Sequence, residues 1–141
     1  MMSNSDITLY NKVYDRKNDK HIYQRTYIKG VNYQDIKAVD VASNGIISVD
    51  KTTVFIPITA DYMDKSYMKP VEFKKHGTDN NFTLENGDII VKGIIDFNLS
   101  DEKGSNMAYL KANYDDVMTI TKVNDNRFGS ASIQHFEVEV E

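Results

Sequence analysis

Apolar and polar residues alternate along most of the chain with the two-residue period of strands. Asp6–Tyr14 (DITLYNKVY) places Ile7 and Leu9 on one face. The polar run Asp15–Lys20 then reads as a hairpin loop leading into His21–Val31. In that second strand Ile22 and Ile28 share one face, with Tyr23, Tyr27 and Val31 on the other. Gly30 interrupts the alternation, as a bulge does, or a corner where a strand changes sheet. Val31–Val41 continues extended to a turn at Ser43-Asn44-Gly45, and Ile46–Thr59 is a third extended unit rich in branched residues. Pro57 has no N–H for a ladder, which places this strand at an edge or at the start of a bulge.

Ala60–Asn86 follows neither period. Structureless stretches beyond roughly 12–15 residues are uncommon in compact domains and tend to be functional. It reads as a long loop excursion with one short element near Val71–Phe73. A turn at Glu85-Asn86-Gly87-Asp88 leads into Ile89–Val91, and Ile94–Leu99 resumes after Gly93 with Ile95, Phe97 and Leu99 on one face. The one helix expected is Ser105–Tyr114, capped by Ser105, with Met107, Leu110 and Tyr114 at i, i+3 and i+7. Asp116–Val123 and Ser132–Val140 are the closing strands, joined by a turn-rich connection. No repeat or linker divides the chain, so 1–141 is read as a single domain.

Composition sharpens the fold class. Val and Ile number 26 against 10 for Leu and Ala, and branching at Cβ favours a pleated surface over a helix. Asp outnumbers Glu 15 to 6, which favours turns over helix surfaces. The reading is mainly β: a small β-barrel or compact sandwich with one short helix. The net charge of −4 disfavours a generally basic nucleic-acid binder. The absence of cysteine removes disulfides, thiol nucleophiles and cysteine-ligated metals. With no apolar run near 18 residues and a polar start, neither a membrane span nor a signal peptide is expected.

Catalytic patterns are missing. The glycines form no phosphate loop, no GxSxG elbow occurs, and His21, His76 and His135 lack metal-site spacing. Asp115-Asp116 and Asp79-Asn80-Asn81 lack the alternating ligands, central Gly and closing Glu of a calcium loop, so turn chemistry accounts for them. No catalytic residue, cofactor or metal is expected, and the protein is not read as an enzyme. Aromatics interleave with cations at Tyr23, Arg25, Tyr27 and Lys29, and at Tyr67, Lys69, Phe73, Lys74 and Lys75. That pattern suits either an OB-like base-stacking surface or the ordinary wall of a barrel, and the acidic balance weakens the first.

Four segments in order carry a resemblance: DITLYNK (Asp6–Lys12), RTYIKGVNY (Arg25–Tyr33), NGDIIVKGIID (Asn86–Asp96) and VNDNRFGSASIQHFEV (Val123–Val138). With them the chain resembles the small head-completion or head–tail joining proteins of tailed bacteriophages, also called minor capsid or head-closure proteins. Asp125, Asn126, Arg127, Gly129, Ser130, Gln134 and His135 are the most distinctive positions, while Phe136 stands where the pattern has tryptophan. The resemblance implies a small β-barrel that assembles as a ring in the virion neck, built in the host cytoplasm. Its partners would be a portal or adaptor protein on the head side and a tail-completion or terminator protein on the tail side. Double-stranded DNA would pass through without sequence-specific binding, and no membrane is involved.

Closed rings are heterologous: one face of each subunit meets a different face of the next. The excursion offers Tyr62, Met63, Tyr67, Met68, Phe73 and Phe82 as a candidate assembly interface, since aromatics and Met are enriched at interface cores. The same residues also suit a loop folded back over the barrel's open end. Asp61, Asp64, Asp79, Glu137, Glu139 and Glu141 are candidate lumen or rim acids, whose repulsion of phosphate would let DNA slide. A tail or baseplate ring protein, and a monomeric OB-like oligosaccharide or nucleic-acid binder, are the competing readings.

Overall fold

The computed structural model describes residues 3–42 and 45–141, and for 36–51 the backbone alone. Ser43 and Asn44, in the expected turn, lie outside the described residues. In chain order the elements are β1 (Ser5–Asp15), β2 (Lys20–Ala42), β3 (Gly45–Pro57), β4 (Ser66–Tyr67), α1 (Pro70–His76), β5 (Asn81–Phe82), β6 (Ile89–Lys92), α2 (Met107–Asn113), β7 (Val117–Asn126) and β8 (His135–Val140). Among the described residues, six strands close a barrel in the order β1-β2-β3-β8-β7-β6. The neighbours along that order are antiparallel.

One strand makes the closure possible. β2 is 23 residues long and serves two partners: Lys20–Val31 pairs with β1, and Asn32–Ala42 pairs with β3. The change falls at Gly30, whose φ is +85°. There the register jumps from Asp6↔Lys29 to Ser5↔Val31, leaving Gly30 as the extra residue of a bulge, with its N–H donated to Asp6 Oδ1 at 3.0 Å. The bulge also corrects the expected alternation. Val31 was placed opposite Ile28, yet both are fully buried, because one inserted residue shifts the phase by half a period.

Inward positions fill the barrel: Ile7 and Leu9 of β1, Ile28, Val31 and Tyr33 of β2, Val54 and Ile56 of β3, Ile90, Ile120, and Phe136, Val138 and Val140 of β8. A second cluster lies outside the wall. Tyr10, Ile89 and Val91 point outward from β1 and β6 and are covered by Leu99 and by Leu110 of α2. Ile95 and Phe97 join that cover, so the expected apolar face of 94–99 is right, but the segment is not a strand. Gly93 (φ +96°) turns the chain off the ladder. Side chains then hold it: Thr8 Oγ1 donates to Gly93 O at 2.8 Å and accepts from Ile95 N–H at 3.1 Å, while Tyr10 Oη donates to Phe97 O at 2.6 Å.

Three further expectations are corrected. β3 lies between β2 and β8, so it is no edge, and Pro57 is tolerated because the strand ends there. The predicted helix begins later, because Asn106 is its cap and its Oδ1 accepts the Tyr109 N–H at 3.0 Å. The short element expected near Val71–Phe73 is a second helix, α1, whose type the spacing could not give because Phe73 is its one buried residue. Gly30→Ala meets no clash, the nearest atom to an added Cβ being 3.9 Å away, so its cost is the backbone's alone. It is expected to lower stability by ~1–2 kcal/mol, read as a lower urea midpoint at unchanged m; an unmoved midpoint would mean that the bulge does not need glycine.

Candidate functional site

The excursion after β3 folds back and closes one end of the barrel. Phe82 (0% exposed) and Phe73 (6%) are buried, and Tyr62 and Tyr67 pack half-buried against the barrel core. The rings meet at a tilt, Tyr62 with Phe82 at 5.0 Å and Tyr67 with Phe136 at 4.5 Å between centroids. Tyr62 Oη donates to Pro57 O at 2.8 Å, and burial pushes its phenol pKa up to about 12. Lys65 Nζ donates to Arg25 O (2.8 Å) and Thr26 Oγ1 (3.0 Å), tying the excursion to β2. Of the six residues proposed for assembly, Met68 is half-buried and Met63 alone is exposed. Tyr62, Tyr67 and Phe82 therefore come together as a plug for their own barrel, the alternative that the sequence left open, while Phe73 is buried apart from that cluster. The Tyr67 ring, packed against Phe136 and Arg127, is also occupied within its own chain.

A clamp holds the plug from the β7–β8 side. Arg127 donates from Nε and Nη2 to the two carboxylate oxygens of Asp125, both at 2.8 Å. Its guanidinium lies 4.8 Å from the Tyr67 ring centre and 5.1 Å from that of Phe136. These bonds hold the Asp125 carboxyl below its ordinary pKa. Such stacking of a planar cation is worth roughly 0.5–2 kcal/mol, a role that lysine would fill poorly.

A second tie fastens the end of the excursion to β1. Asn11 is buried, and its side chain reads the Thr83 backbone in both directions, donating to its O at 2.7 Å and accepting from its N–H at 3.2 Å. Asn11 Nδ2 also donates to Asp88 Oδ2 at 2.8 Å. Asp88 accepts from the Lys12 N–H at 3.1 Å and the Glu85 N–H at 3.2 Å as well. Although these bonds oppose the shift, burial raises the Asp88 pKa from 3.8 to about 6. The sequence does carry a signal for this tie: Asn11 shares the inward face with Ile7 and Leu9, where a polar residue needs a partner. Beside Asp88 opens a cleft of about 600 Å³ between the β1–β2 hairpin and α1.

At the other end of β3 the barrel carries an arm. β1 pairs with β2 only as far as Val31, and β8 pairs with β3 only from Thr52 onward. Beyond them Ile36–Ala42 and Gly45–Lys51 pair with each other alone among the described residues. Seven residues per strand give a reach of about 20 Å. In sequence the arm is rich in branched residues and has no aromatic.

The candidate acids do not gather in one place. Glu137 and Glu139 are half-buried on β8, alternating with inward Phe136, Val138 and Val140, and Glu141 is exposed at its end. Asp61, Asp64 and Asp79 are exposed on the excursion, where Asp61 forms a backbone bridge to Lys29 of β2. Among the described residues no group of three His, Asp or Glu is placed to hold a metal, and no helix is long and apolar enough to cross a membrane. A family model described as a family of unknown function (DUF6751) matches residues 2–141. No curated protein and no solved structure matches the chain.

Two outcomes follow from the plug and its tie. Phe82→Ala is expected to cost ~3–5 kcal/mol in a chemical denaturation series; a loss under 1 kcal/mol would mean that the excursion is dispensable to the core. Asp88 binds its proton more tightly in the folded chain than in the unfolded one. Its contribution to stability therefore falls as pH rises from about 4 to about 6, by at most ~3 kcal/mol, and is flat above. The stability difference between wild type and Asp88→Asn should shrink by that amount over this interval, and a pH-independent difference would exclude the shift.

Proposed function

The chain belongs to the family of unknown function DUF6751, and we propose that it is a structural, non-enzymatic protein of the tailed-phage neck. In this reading it forms a homo-oligomeric ring that closes the DNA-filled head and docks the tail. Its partners are a portal or adaptor protein on one side and a tail-completion protein on the other, with double-stranded DNA passing through.

The observation that carries the reading is the arm. A closed barrel has no free edge to pair with another chain. Here two strands leave such a barrel together and run on as a two-stranded ribbon. A lone hairpin is marginal in water, and three strands or a packed face are needed to stabilise it. Branched residues occupy both register faces: Ile47 and Val49 are on one, Val41 and Ile46 on the other. A ribbon of this kind is suited to lie against another protein, as the joining of successive rings requires. The plug supports the same reading from the opposite end of β3, since it seals the barrel without using the arm.

The register supplies a clean deletion. Asp35 and Thr52 are paired residues at the base of the arm, and Thr52 Oγ1 donates to Asp35 Oδ1 at 2.6 Å. Replacing 36–51 by Asn-Gly closes them with a two-residue hairpin turn. The shortened protein should unfold cooperatively with a midpoint close to wild type. A phage carrying it should accumulate unjoined heads and tails in electron micrographs. Normal joined particles would exclude the arm from assembly, and a virion lacking the protein altogether would exclude the neck reading.

A further inference from the structure

The β7–β8 loop holds two large apolar side chains in solvent, Phe128 at 70% exposure and Ile133 at 59%. The loop that carries them is braced. Arg127 is clamped between Asp125 and the Tyr67 and Phe136 rings. Gln134 Nε2 donates across the loop to Gly129 O at 2.8 Å, and the Ile58 N–H donates to Gln134 O at 3.1 Å. A fixed apolar projection loses little conformational freedom on docking, so most of its burial appears as affinity.

On other elements of the same chain lies the cleft of about 600 Å³. Val13, Tyr14 and Phe73 form its apolar part; of the two acids that also line it, Glu85 is paired with Lys74 and Asp88 is held by Asn11, while Lys12 and Arg16 contribute cations that no carboxylate pairs among the described residues. Tyr14 is fixed by its hydroxyl, which donates to Asp19, and by an edge contact with His21. The projecting loop runs directly into β8, whose residues Glu137 and Glu139 alternate with the inward positions. The apolar projection thus has an acidic neighbour in Glu137, and the cleft offers an apolar part with the unpaired cations Lys12 and Arg16 beside it.

We propose that Phe128 and Ile133 of one copy seat in the Val13–Tyr14–Phe73 cleft of the next, with Lys12 and Arg16 facing the Glu137 side of β8. The contact is heterologous, which is the relation that closes into a ring. It rests on the ring reading above and names the surface that joins neighbours, whereas the arm serves the proteins before and after the ring.

Two measurements on the full chain test it. With Phe128→p-benzoylphenylalanine, irradiation should link two copies, and mass spectrometry should place the link within 12–16 or 70–76. Links placed elsewhere, no intermolecular link, or a wild type that stays monomeric at every concentration would each overturn the proposal. Phe128→Ala leaves the cleft intact, whereas Tyr14→Ala combined with Arg16→Glu leaves the loop intact. Each variant alone should associate at least about 30-fold more weakly than wild type. Mixed, they retain one good interface and should sediment as a 1:1 dimer, and a mixture that behaves as the sum of its parts overturns the proposal. An oligomer linked outside the cleft sinks this contact and leaves the neck reading standing. A link within the cleft, in a protein absent from the virion, does the reverse.

Discussion

The fold depends on a single inserted residue. A six-stranded barrel must turn its sheet through a full circle, and here β2 makes the corner by leaving β1 and joining β3 at Gly30. Its positive φ and the Asp6 carboxylate on its N–H set the direction of the bend. Without the bulge, Val31 and Tyr33 would face outward, and β3 and β8 would meet the barrel on the wrong face. The arm is a consequence of the same corner. β2 is redirected and then continues past the point where β8 begins its pairing, taking β3 with it.

Closure leaves two ends, and the chain treats them differently. At the Pro57–His135 end, aromatic rings from the excursion fill the opening, clamped by Arg127 and tied to β1 through Asn11 and Asp88. Asn11 substitutes for a ladder partner of the Thr83 backbone, and the Asp88 carboxylate takes two backbone N–H donors. The packed rings and buried polar ties are therefore at that end, and the arm extends from the other.

Strand periodicity made most of the barrel legible. Ile7 and Leu9 on one face, the hairpin at Asp15–Lys20 and the corner at Gly30 all follow from two-residue spacing, and the structure has each of them. Legibility failed where side chains replace ladders. The 94–99 segment keeps a strand's spacing while Thr8 and Tyr10, far away in sequence, satisfy its backbone. The excursion failed for a related reason. Its aromatics signal burial, but spacing cannot say whether the burial is within the chain or against a neighbour, and a small barrel with an open end consumes such rings itself. Asn11 was readable in principle, as a polar residue on an apolar face, while its partners Thr83 and Asp88 were fixed only by the fold.

The wall of the barrel is also unequal around its circumference, which bears on the charge. Over β1 and β6 the outer face is covered by α2 and 94–99. On β8 the positions between the inward ones are Glu137 and Glu139. Register places Lys122 directly opposite Glu139 and Asn124 opposite Glu137. Cross-strand pairing of opposite charges offsets one acid of this strip, so the wall is not a uniform negative surface. If this wall lines a channel for DNA, the repulsion that keeps phosphate from sticking falls mainly to Glu137 and Glu141. The contact proposed between neighbours places cations beside that same Glu137. One carboxylate cannot both face the duplex and neutralise Lys12 and Arg16, so a ring joined through the cleft turns this end of the strip away from the lumen. In such a ring the acids left to face the DNA would be those of the excursion, Asp61, Asp64 and Asp79, which are exposed.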